Sequence, residues 1–119
     1  MQESILRSIA KLIGIGEDYE AFDVDLIICI NSAFTVLSQL GVGPKEPFSI
    51  ESENETWSDF FSVGRHAPIH LVKTYMKNKV KMEFDPPTVG VLHEALERQI
   101  QESEWRLNIE AEGASETNE

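Results

Sequence analysis

A chain of 119 residues, 41% hydrophobic and 26% charged, is long enough for one domain and too short for two ordinary ones. Ten Lys and Arg against 21 Asp and Glu give a formal charge of −11, which excludes a module that grips nucleic-acid phosphates through a general basic surface. The single cysteine, Cys29, excludes an internal disulfide and points to a reducing compartment. Residues 1–16 alternate charged with apolar side chains, unlike a secretion signal. The longest uncharged stretch, residues 26–44, carries Asn31, Ser32, Thr35, Ser38 and Gln39, so it reads as a buried helix and not a membrane span. A soluble, intracellular protein is expected.

The first helix is predicted over residues 3–13, where Ile5, Leu6, Ile9, Leu12 and Ile13 share one side and Gly14 and Gly16 end it. An acidic stretch from Glu17 to Asp25 follows, with Asp23 as the expected N-cap of a second, central helix over residues 24–40. That helix places Leu26, Ile27, Cys29, Ile30, Ala33, Phe34, Val36, Leu37 and Leu40 on one broad arc. Cys29 within this arc, with no second thiol or base nearby, is a core thiol. Gly41 suits a C′ position and Gly43-Pro44 forbids continuation. Residues 42–55 then read as a long loop with a brief extended piece at Phe48-Ser49-Ile50. Thr56 opens a short helical segment that plants Trp57 and Phe60 or Phe61 against the bundle.

A long helix begins near Pro68 and stops at Asp85-Pro86-Pro87. Its core stripe is Ile69, Val72, Met76 and Val80, and Leu71, Tyr75 and Met82 make a second apolar strip. Lys73, Lys77 and Lys81 recur every four residues, with His70 and His66 extending the line. That line is either a solvated face or a local contact with acids of a neighbouring subunit or with DNA passing close by. The last helix, capped by Thr88, runs to about Leu107 on a stripe of Val89, Leu92, Leu96, Ile100 and Leu107, with His93 partly buried beside it. Trp105 projects away from that stripe, near Arg98 and Arg106, a pairing that marks interfaces. Residues 110–119, with four Glu and no large apolar side chain, are expected to be a disordered acidic tail.

The outcome is an all-α domain over residues 1–109, a small bundle of four to five helices with a long central loop, whose surplus apolar faces favour self-association. Catalytic motifs are missing. Gly14-Ile15-Gly16 lacks the third glycine and the preceding strand of a phosphate loop, no serine sits in a nucleophile elbow, and His66 and His70 have no third ligand. No enzyme activity, cofactor or metal is expected.

The ordered run of Phe48-Ser49-Ile50, residues 55–60 (ETWSDF), residues 72–80 (VKTYMKNKV), residues 84–88 (FDPPT) and residues 104–109 (EWRLNI) resembles the head–tail connector, or adaptor, proteins of tailed bacteriophages and prophages. The resemblance implies a structural subunit that forms a ring, commonly of twelve, beneath the portal vertex. There it would extend the DNA channel and dock a stopper or other connector or tail component. It implies as partners the chain itself, the portal protein, that next component and genomic DNA passing without sequence-specific binding, with no membrane. It places the protein in the virion, and in the host cytoplasm during assembly. In such a setting Lys73, Lys77 and Lys81 would face a neighbouring subunit or the channel, and Trp105, Arg106, Leu71 and Tyr75 would meet partners. The competing reading is a small acidic helical binding module that occupies a partner's basic surface.

Overall fold

A computed structural model describes residues 3–16, 20–63 and 67–117, with only the backbone of 113–117. Glu17, Asp18 and His66, which entered the sequence reading, lie outside the described residues. Five helices follow one another: α1 (Ile5–Leu12), α2 (Asp23–Gln39), α3 (Trp57–Phe61), α4 (Ile69–Phe84) and α5 (Gly90–Thr117). The all-α expectation holds, since the described residues form no strand and pair only through one isolated antiparallel bridge between Ser4 and Thr56.

Local chemistry sets most boundaries. Ser4 caps α1 by accepting the Arg7 N–H at 3.2 Å. Thr56 and Asp59 form a reciprocal capping box that fixes the five-residue α3 despite its shortness. The start of α2 differs from expectation. Asp23 is its first helical residue and not its cap, because the carboxylate is drawn to the Arg7 guanidinium, and Phe22 holds the cap position without a side-chain bond. Asp23 and Asp25 still lie in the first turn, where negative charge suits the helix dipole.

Helix α4 is the central element and touches α1, α2 and α5. The Phe22 ring meets Phe84 edge-on at 5.2 Å, so α2 begins where α4 ends and the two run antiparallel. Tyr75 of α4 donates to Glu104 of α5 at 2.9 Å, and Pro68 and Ile109 line one groove, so α5 runs antiparallel to α4. The core consists of Ile5, Leu6 and Ile9 from α1, Leu26, Ile30, Phe34 and Leu37 from α2, and Val72, Tyr75, Met76 and Val80 from α4.

The loop between α2 and α3 closes over this core and is held from two sides. Asn31 uses both ends of its carboxamide on one residue, accepting the Ile50 N–H at 2.8 Å and donating to the Ile50 carbonyl at 3.0 Å. Ile50 and Val42 are thereby buried, and Phe48 packs against Phe34 and Phe60 at ring distances of 5.2 and 5.4 Å. Glu55 holds the turn before α3 by accepting from the Glu51 and Ser52 N–H groups at 2.8 and 3.2 Å. Gly43, at φ +88°, passes so close to the Phe60 ring that a Cβ would lie 2.9 Å from it.

Three apolar assignments change. Ile69, Val89 and Leu92 are exposed, because α4 covers α5 only from Leu96 onward and its own first turn lies at the edge of the bundle. His93 is partly buried, as expected, and faces Glu97 at 3.9 Å on its own helix. The last helix does not stop at Leu107. It continues to Thr117, because Ala111 is small enough to bury against Gly41 and Asn108 donates to the Leu40 carbonyl at 3.3 Å. Glu110, Ala111 and Glu112 are all tolerant of helix.

Asn31→Ala should cost about 2–3 kcal/mol, since two hydrogen bonds to a buried backbone are lost together; a denaturant titration giving less than ~1 kcal/mol would contradict the clamp. Burial pulls the Glu55 carboxyl up, but the N–H groups of Glu51 and Ser52 outweigh it and hold its pKa below the usual 4.5. A depressed carboxyl stabilises the fold above its unfolded pKa, and that contribution disappears as pH falls below 4.5 through the folded value. Glu55→Gln should therefore lower stability near pH 7 and converge with the parent protein in acid, which flattens the acid limb of a stability–pH profile.

Candidate interaction surfaces

Apart from Leu12 at the end of α1, the described large apolar side chains that remain exposed fall into two groups. Phe22, Val24, Ile28, Val89, Val91 and Leu92 lie at the end where α2 and α5 begin and α4 finishes. Val63, Ile69, Trp105 and Ile109 lie at the opposite end, around the start of α4. Clusters of this kind mark interaction sites where single exposed apolar residues do not.

Of the four residues expected to meet partners, three border the second cluster. Trp105 is 64% exposed on the outer side of α5, as the helical period placed it. Arg106 is exposed and holds Glu102 at 2.9 Å, one helical turn back. Leu71 is half-buried, and with Trp105, Arg106 and Ile109 it lines a groove of about 770 Å³ between α4 and α5. Tyr75 does not belong with them. It is 0% exposed, so the expectation that it forms part of a partner-facing strip is corrected. The second apolar strip of α4 is the side that α5 covers, and Met82 on it is half-buried as well. Burial and the adjacent Glu104 carboxylate push the Tyr75 phenol far above its ordinary value of 10, so it stays a neutral donor.

The lysine line is present but largely engaged. Lys73 reaches Glu3 at 3.4 Å and lies over the Trp57 ring at 5.4 Å from its centroid. Lys81 bonds Asp85 at 3.2 Å. Lys77, between them, has no ion pair among the described residues and is half-buried. Lys73 also borders a cleft with Arg7, Lys11, Glu3 and Glu53, where both signs alternate. Acids of the stretch before α2 are not all available to it, since Asp23 already pairs with Arg7.

Among the described residues no group of three or more His, Cys, Asp or Glu side chains could hold a metal ion. Cys29 is half-buried against the core, and burial, followed by the charges of Glu83 and Asp25, pushes its thiol up, away from the thiolate form. No helix of the described residues is long and apolar enough to cross a membrane.

A family model described as phage connector protein matches residues 5–114, nearly the whole bundle. The chain belongs to the phage connector protein family. Neither a curated protein nor a solved structure matches it. The family match spans α1 to α5 and the closed loop, so the connector protein's two apolar ends belong to the matched region and are not additions to it. Sequence reasoning missed both ends in part, because it assigned Val89 and Leu92 of the first and Ile69 of the second to the core.

Two substitutions separate the buried from the exposed member of the expected contact set. Tyr75→Phe should lower stability by about 1–1.5 kcal/mol through the lost bond to Glu104, whereas Trp105→Ala should stay within ~0.5 kcal/mol. Thermal or denaturant unfolding in which Trp105→Ala is the costlier change would contradict the placement of both.

Proposed function

We propose that this connector protein is a structural, non-catalytic component of the virion that assembles as a ring on the portal vertex, extends the DNA channel and docks the next connector or tail component. The observation that carries the reading is the family match over residues 5–114. Two features of the bundle support it. Separate apolar clusters at opposite ends suit a subunit with neighbours on two sides, as a closed ring requires. A formal charge of −11 suits a wall past which DNA slides, because like charge disfavours adhesion.

The lysines fit this reading as internal struts more than as a grip on DNA. Lys73 and Lys81 are already matched by Glu3 and Asp85, which leaves Lys77 as the residue of the line able to meet a neighbouring subunit or the channel. Portal protein, the next connector or tail protein and further copies of this chain are the proposed partners, and DNA is a passenger without sequence-specific contacts.

Purified portal complexes mixed with the protein should bind it and show an added ring by negative-stain electron microscopy. Trp105→Ala and Arg106→Glu, in a protein whose melting temperature is unchanged, should reduce ring occupancy by tenfold or more, the scale of an interface hot spot at about 2 kcal/mol. A small complex with a single partner protein, and no ring on portals, would overturn the proposal.

A further inference from the structure

The apolar end where α2 and α5 begin is set in unpaired negative charge. Val24 is 71% exposed there and Val91 73%, with Ile28 one turn beyond Val24 on α2 and Leu92 next to Val91 on α5. Phe22 rests on Phe84, from which residues 85–89 lead directly into the first turn of α5. The two stretches that carry these side chains, residues 20–28 and 82–94, hold six Asp and Glu and no Lys or Arg. Arg7 matches Asp23, and Lys81 matches Asp85. Glu20, Asp25, Glu83 and Glu94 are all exposed and have no ion pair among the described residues. Asp25 of α2 and Glu83 of α4 both bear on the Cys29 thiol, so the acids of the two helices share one side. Lys79, the other base on this half of α4, is half-buried in a cleft lined by Glu97 and Glu104.

An exposed apolar patch flanked by unpaired acids selects its occupant by charge. Nucleic acid and an anionic membrane surface carry the wrong sign. So does a second copy of this chain. Its other apolar end, around residues 102–112, holds four Glu and one Arg, and that Arg106 is already matched by Glu102. Docking either end of a copy here would set acid against acid, which disfavours the contact. The complement of the patch is a protein surface on which Lys or Arg flank apolar side chains.

We infer that the end of the bundle where α2 and α5 begin docks a different protein, through a partner surface of apolar side chains flanked by Lys and Arg. Val24, Ile28, Val91 and Leu92 supply the contact that excludes water, and Glu20, Asp25, Glu83 and Glu94 steer the encounter. Removing the acids therefore acts on association, and removing the apolar side chains acts on dissociation. The inference deepens the docking half of the ring reading, and it rests on that reading for the partner being a virion protein. It also narrows that reading, since contact between copies falls to the Trp105 end and the flanks of the bundle.

The test presents the full chain to two immobilised probes, purified portal complexes and the purified next connector or tail protein of the same phage. At least one should bind. Glu20→Lys with Glu83→Lys should slow that association about tenfold at about 50 mM NaCl and less than about twofold at about 0.5 M. Glu46→Lys with Glu112→Lys, the same change of net charge placed elsewhere, should slow it less than about twofold at either salt concentration. Val24→Ser with Val91→Ser should speed dissociation about tenfold at both, with the melting temperature unchanged. Val91→p-benzoylphenylalanine, irradiated in the complex, should join the chain to a segment of the bound probe that carries Lys or Arg. Adducts only between copies of this chain, equal slowing by both charge pairs, or no binding to either probe overturns the inference. Portal-bound rings formed while every variant binds like the parent protein would remove this docking surface and leave the ring reading standing; a charge-dependent contact without portal-bound rings would do the reverse.

Discussion

One side chain holds the architecture in register. Asn31, midway along α2, binds both backbone polar groups of Ile50, and so treats a loop residue as if it were the next strand of a sheet. The consequence reaches well beyond the loop. With Ile50 fixed, Phe48 is set against Phe34 and Phe60, and Phe34 in turn packs within 6.5 Å of Trp57. Trp57 then donates its indole N–H to Ser8 of α1 at 2.7 Å. An aromatic cluster of this kind supplies large buried area with directional ring contacts. It links α1, α2, the loop and α3 into one body, against which α4 is laid down.

Helical period was legible along most of the chain. The starts of α1, α3 and α4 follow from Ser4, Thr56 and Pro68, residues whose local chemistry acts before any tertiary contact. What period cannot supply is which apolar face finds a cover. Tyr75 and Leu71 occupy the same strip of α4, yet α5 seals one and leaves the other at a groove edge. Val89, Leu92 and Leu96 share a stripe of α5, yet only Leu96 reaches the core, because the 28-residue α5 is longer than the 16-residue α4 it lies on. The run beyond Leu107 reads as a solvated tail by composition, and it is the fit of Ala111 on Gly41, a contact 70 residues apart in sequence, that gives it a helical seat. Asn78 and Ser103 carried no signal at all, since a polar residue on a helix flank looks the same whether it meets water or lies buried.

Charge tells a similar story. A repeated lysine spacing is a statement about one helix face, and its electrostatic meaning depends on what is placed opposite. Here α1 brings Glu3 to Lys73, and the end of α4 brings Asp85 to Lys81. Exposed pairs of this kind contribute little to stability. Their effect is to match Lys73 and Lys81 of the lysine line with acids of the same chain.

The seat of Ala111 on Gly41 has a mechanical corollary. A Cβ on Gly41 would come within 3.1 Å of the Ala111 methyl, so the turn that ends α2 comes close to the α5 backbone there, in the last third of a rod about 42 Å long at 1.5 Å per residue. A side chain at position 41 would meet both a backbone held at φ +91° and the Ala111 methyl, so the far part of α5 is seated by a residue that no helix contains.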